Sequence, residues 1–109
     1  MLGVRVKKSE LKNTVTVAGE LDIANVCQFE GYFANLWQEP GQKALEIDLT
    51  DLEFIDSTGV RSLMTIISQA RQRSMQIGVV NVRPFVYEVL STIGVIRLFG
   101  SDIFQVIKE

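Results

Sequence analysis

A chain of 109 residues, 47% hydrophobic and 22% charged, has the size and balance of one folded domain spanning 1–109 rather than of a disordered segment. Its net charge of −2 offers no basic stripe to nucleic acid, and the absence of histidine removes Ser-His-Asp and Cys-His triads together with the commonest metal ligand. The single cysteine, Cys27, has no partner for a disulfide, Met1–Lys8 is unlike a signal peptide, and no apolar run nears the ~18 residues of a membrane helix, so a cytoplasmic protein without metal or cofactor is expected.

Residues 2–8 and 13–18 alternate apolar with polar and read as two strands, joined by the short link 9–12 into an antiparallel hairpin. Gly19-Glu20-Leu21-Asp22 breaks the alternation. A helix follows, with Asn25 as N-cap, Gln28 at capping-box spacing, and Val26, Phe29, Phe33 and Leu36 on one face, until Glu39-Pro40-Gly41 stops it. Residues 44–49 read as a strand, with Phe54-Ile55 adding apolar density toward the sheet. Asp56-Ser57 opens a second helix whose buried face is Val60, Leu63, Met64 and Ile67, and Arg71 and Arg73 lie at its C-terminal end, where the dipole favours cations. Residues 76–82 resemble a strand buried on both faces. Pro84 suits the first turn of a third helix with Val86, Val89, Leu90 and Ile93 as its inner stripe and Gly94 as C-cap. Residues 95–99 make a short turn and 103–107 a last strand. Strands alternating with helices predict an α/β domain with a mostly parallel sheet of about five strands, an antiparallel N-terminal hairpin, and helices packed on it.

The chemistry concentrates at 48–60. A strand ends, a turn follows, and a helix begins at Asp56 or Ser57, so its first amides lack intrahelical partners and favour negative charge. A hydroxyl at Ser57 would stand exposed at the edge where parallel strands end, among Asp48, Asp51, Glu53 and Asp56. Phosphorylation there would add about −1.5 to −2 charge to an acidic neighbourhood. Asp-Ser-Thr-Gly is also ordinary helix-capping chemistry, and both readings stand at this point.

Asp51–Leu63 (DLEFIDSTGVRSL) resembles the signature of STAS domains, the family of bacterial anti-sigma-factor antagonists. Gly19-Glu20-Leu21-Asp22 resembles that family's landmark turn before the first helix, and 76–80 and 90–94 resemble its third strand-helix unit. The resemblance implies a non-enzymatic switch in which Ser57 is phosphorylated by an anti-sigma factor that is itself a serine kinase. The unphosphorylated protein would bind that kinase and free the sigma factor. A PP2C-type serine phosphatase would restore it. Asp22, Asp56, Ser57, Thr58 and Gly59 would form the partner surface of a monomer or weak dimer that touches neither nucleic acid nor membrane. Many members carry a further helix after the last strand, whereas this chain ends at Glu109 directly after 103–107, which would leave apolar surface uncovered.

A non-switching STAS scaffold or sensor subunit of a larger assembly is the alternative. A hydrolase using Ser57 lacks both the G-x-S-x-G context and a histidine base. Asp22 also suits a purely structural role, accepting backbone N–H bonds in its turn. Cys27 reads as a small packing residue rather than a nucleophile, and Phe33 and Trp37 as core.

Overall fold

Alternation puts Val4 and Val6 of β1 (Leu2–Lys8) on one side of the strand and Arg5 and Lys7 on the other. Strand β2 (Lys12–Leu21) answers antiparallel, Val4 against Val17 and Arg5 against Thr16. The Ser9 amide closes the hairpin on the Lys12 carbonyl at 2.9 Å. There follow α1 (Val26–Leu36), β3 (Ala44–Asp48), β4 (Leu52–Ile55), α2 (Ser57–Gln72), β5 (Gln76–Val82), α3 (Pro84–Ile93), α4 (Val95–Phe99), a 3-10 turn and β6 (Phe104–Val106). The computed structural model describes residues 1–107; residues 108–109, and with them the chain end after the last strand, lie outside it.

The sheet runs β1-β2-β3-β5-β6, with every pairing after the hairpin parallel. Strand β4 is a strand of its own rather than an extension of β3, and it pairs with β2 alone among the described strands. Strand β2 is thus shared, its first half against β3 and Gly19–Leu21 against β4. That second partner is why Gly19-Glu20-Leu21 continues the strand instead of ending it. Gly19 takes φ +85 there, and a Cβ on it would meet the Met1 carbonyl oxygen at 2.0 Å. That oxygen is backbone and accepts from the Glu20 amide (3.2 Å), so Gly19→Ala is expected to cost the left-handed backbone penalty of about 1–2 kcal/mol and to displace that bond as well, read as a lower urea midpoint.

Paired residues share a face of the sheet. Val15, Ile47 and Val79 are fully buried beneath Phe29 and Phe33 of α1 and Leu63, Ile66 and Ile67 of α2. The opposite face carries Arg5, Lys7, Thr14, Thr16 and Glu46. The sheet is therefore covered on one side, and β5 is not buried on both faces as its apolar run suggests. Val79 and Val82 are its fully buried residues, the second returned inward by an irregularity at Asn81 (φ 54), while Val80 is half-buried.

Three further expectations are corrected. Ile93 lies on the line of Val86 and Leu90 but is 47% exposed, because the cover over that stripe stops at Leu90. Met64 is only half-buried; Ile66 takes the deeper position on α2. Cys27 is exposed rather than packed, since the buried side of α1 runs through Phe29, Phe33 and Leu36.

Candidate functional site

Two turns meet because two strands end together. Leu21 of β2 pairs with Ile55 of β4, so the residues that follow, Asp22 and Asp56, leave the sheet side by side. Asp56 then fastens the turns to each other. Its amide donates to the Leu21 carbonyl (3.3 Å), Oδ1 accepts from the Gly59 amide (2.7 Å), and Oδ2 accepts from the Ile23 amide (3.1 Å). One carboxylate therefore caps α2 and holds the Gly-Glu-Leu-Asp turn.

Gly59 makes the close approach possible. It is buried, and a Cβ would stand 2.2 Å from the Leu21 carbonyl oxygen and 3.0 Å from Ile55 Cγ1. Its contribution lies in what it lacks, since no side chain reaches the surface from this position. Ser57, two residues earlier in the first turn of α2, is exposed, and Thr58 is half-buried. With the Gly59 amide already held by Asp56, the Ser57 and Thr58 amides are the first-turn donors that make no hydrogen bond among the described residues.

The Asp22 turn is braced from within. Asp22 Oδ1 accepts from the Ala24 amide (3.0 Å), the role expected of an Asp in a turn. Asn25 precedes α1 as expected but makes no cap bond to the helix. Its Oδ1 accepts from the Asp22 amide (2.9 Å) and its Nδ2 donates to the Glu20 carbonyl (2.7 Å), because the side chain folds back across the turn. The Gln28 capping box is therefore not used.

Strand β4 holds a feature the sequence pattern hides. Gly19 pairs with Leu52 and Glu20 with Phe54, so Glu53 is an extra residue, a bulge. The bulge turns both Glu53 and Phe54 outward before Ile55 returns to the core, and Phe54 is 49% exposed rather than packed into the sheet. Ile23, at the tip of the braced turn, is 75% exposed. No motif marked either residue, for a lone exposed apolar side chain is common on any surface. The electrostatics are acidic. The Met1 amine donates to Glu20 Oε1 at 2.6 Å. That hydrogen bond, and after it the charges of Glu20, Asp22 and Glu53, raise the amine's pKa above its ordinary value.

The shared bonds of Asp56 define a stability test. Asp56→Ala is expected to cost about 2 kcal/mol in denaturant unfolding and to speed hydrogen exchange at the Ile23 amide, because cap and brace are lost together. Asp56→Asn, which keeps one acceptor oxygen, should lose about half as much.

The sequence matches the family model of the STAS domain over residues 4–109. The chain belongs to the STAS-domain family. STAS domains are generally non-catalytic regulatory or scaffold domains. Solved structures agree on the fold. An anti-sigma factor antagonist from Mycobacterium paratuberculosis superposes with a TM-score of 0.82 at 21% identity, over 99% of this STAS domain and 87% of that chain. The phosphorylated form of SpoIIAA, a cell fate determinant of Bacillus, gives 0.74 at 16%, covering 98% and 93%. The murine anion transporter Slc26a9 gives 0.73 at 25%, over 84% of this STAS domain but only 15% of the transporter. No curated protein matches the sequence. Among the described residues no helix is long and apolar enough to cross a membrane, and no cluster of His, Cys, Asp and Glu could hold a metal ion.

Proposed function

We propose that this STAS domain is an anti-sigma-factor antagonist switched by phosphorylation of Ser57. The observation that carries the reading is that Ser57 is exposed in the first turn of α2, open to a visiting active site. Its neighbour Asp56 is already engaged by two backbone amides, so it is poorly placed to activate the hydroxyl as a base. Ser57 is thus a substrate for another protein's chemistry rather than a nucleophile. The unphosphorylated form binds an anti-sigma factor of the serine-kinase type through Asp22, Ser57 and Thr58, on a surface shaped by Asp56 and Gly59, and thereby frees the sigma factor. The phosphorylated form lets go, and a PP2C-type phosphatase resets it. The protein works in the cytoplasm as a monomer or weak dimer, without cofactor. A structural neighbour described in a phosphorylated form supports the reading.

The test supplies the purified protein, ATP and a serine-kinase anti-sigma factor of its native organism, and maps phosphate by mass spectrometry. A phosphopeptide containing Ser57, absent from Ser57→Ala, is expected. Phosphate solely elsewhere, Thr58 included, or none at all, refutes the reading.

The likeness to a transporter of which the matched part is 15% favours a second reading, a non-switching module of a larger assembly. It predicts an unmodified Ser57 and co-purification with that assembly.

A further inference from the structure

The polar groups of the Asp22 turn are directed inward, at backbone: Asn25 at Asp22 and Glu20, Asp22 at Ala24, Asp56 at Ile23. The large side chain that the turn displays is apolar, Ile23 at 75% exposure, and the β4 bulge turns out a second, Phe54. Both flank Ser57 through its neighbour Asp56, Ile23 by hydrogen bond and Phe54 by two residues of chain. We infer that Ile23 and Phe54 are the energetic anchors of the docking surface around Ser57, and that they fit a protein partner with an apolar pocket for each, rimmed by lysine or arginine. This rests on reading the Ser57 face as the partner surface.

Preorganisation supports the assignment. A side chain on a backbone already fixed by hydrogen bonds loses little further freedom on binding, so its apolar area converts efficiently into affinity. Carboxylates at the rim of an interface act mainly on the rate of encounter. Charge chooses the occupant. Asp22 and Glu53 adjoin Ile23 and Phe54 in the chain and Asp56 holds the Ile23 amide, so a basic rim is drawn to the patch, whereas a second copy of the chain or an anionic lipid surface is repelled.

The test measures the affinity of the purified serine-kinase anti-sigma factor for Ile23→Ser, Phe54→Ser and the control Ile93→Ser, all at exposed positions, with melting temperatures alongside to separate lost binding from unfolding. Ile23→Ser should bind about 30-fold more weakly and Phe54→Ser about 10-fold, with the control within about threefold of the parent. Asp22→Asn should mainly slow association, and less so at high salt. Undiminished binding of Ile23→Ser overturns the inference even where that kinase still phosphorylates Ser57. Should the kinase neither bind nor modify the parent protein, the Ser57 reading falls, and a benzophenone amino acid at positions 23, 54 and 93 in the native cell decides the inference. Crosslinks from 93 alone, or from none of the three, overturn it. Crosslinks from 23 and 54 to one protein that, once purified, binds Ile23→Ser more weakly support it.

Discussion

Ser57→Asp is expected to bind the anti-sigma partner at least about 30-fold more weakly than Ser57→Ala, a gap of about 2 kcal/mol or more. The magnitude follows from placement. Ser57 follows Asp56, whose turn is fastened to that of Asp22, and a charge added there must be desolvated against the partner without a counter-ion from this chain. The fold itself should be indifferent, because negative charge in the first turn of a helix is favoured by about 0.3–1 kcal/mol and offsets repulsion from the neighbouring acids. Phosphoserine, with about −1.5 to −2 charge, should have the larger effect. Calorimetry on both variants, with their melting temperatures alongside, separates lost binding from unfolding. Salt separates the causes: at 1 M ionic strength, where screening acts over about 3 Å, a persistent gap reports desolvation and a vanished one reports long-range repulsion. Equal affinities would remove the switch.

Gly59→Ala should be the most damaging single-methyl change at the site. The added carbon would stand 2.2 Å from the Leu21 carbonyl oxygen and 2.9 Å from its carbon, and both belong to the backbone of β2, which is held by strands on both sides. Neither β2 nor α2 can retreat without opening the Asp56 bonds to Leu21 and Gly59. A cost of about 3 kcal/mol is expected, corresponding to a fall of roughly 15 °C in melting temperature. Gly31→Ala, at a helix position with nothing within 4 Å of the new carbon, is the matched control and should stabilise by about 0.5–1 kcal/mol. If the two substitutions shift stability alike, close packing of the two turns is not what Gly59 secures.

Patterns that repeat were readable before the structure. Alternation at 2–8 and 13–18 and the three-and-four spacing of Phe29, Phe33 and Leu36 each report one buried face, and each reached the core as expected. The start of α2 was legible because Asp56 is a strong cap and a helix has only one such end. What escaped depended on a partner distant in sequence. The outward turn of Phe54 comes from an unequal count of residues between β2 and β4, which no local pattern records. Asn25 has the composition of a cap and acts as a brace because Glu20 and Asp22 curl back to it. Periodicity shows direction and not extent, so it carried the α3 stripe one turn beyond its cover, to Ile93. Sequence patterns singled out Ser57 and Asp22 but not Ile23, which only the bonded backbone beneath it sets apart.

The Asp22 turn keeps its shape through the side chains of Asp22, Asn25 and Asp56, while residues 23 and 54 contribute backbone and leave their side chains exposed. Shape and identity are thereby assigned to different residues. A library randomised at 23 and 54 should stay folded almost throughout, which makes this edge a socket whose fittings can be exchanged. Sibling domains sharing one cell would be able to diverge into non-interfering pairs by altering two side chains, leaving the scaffold untouched.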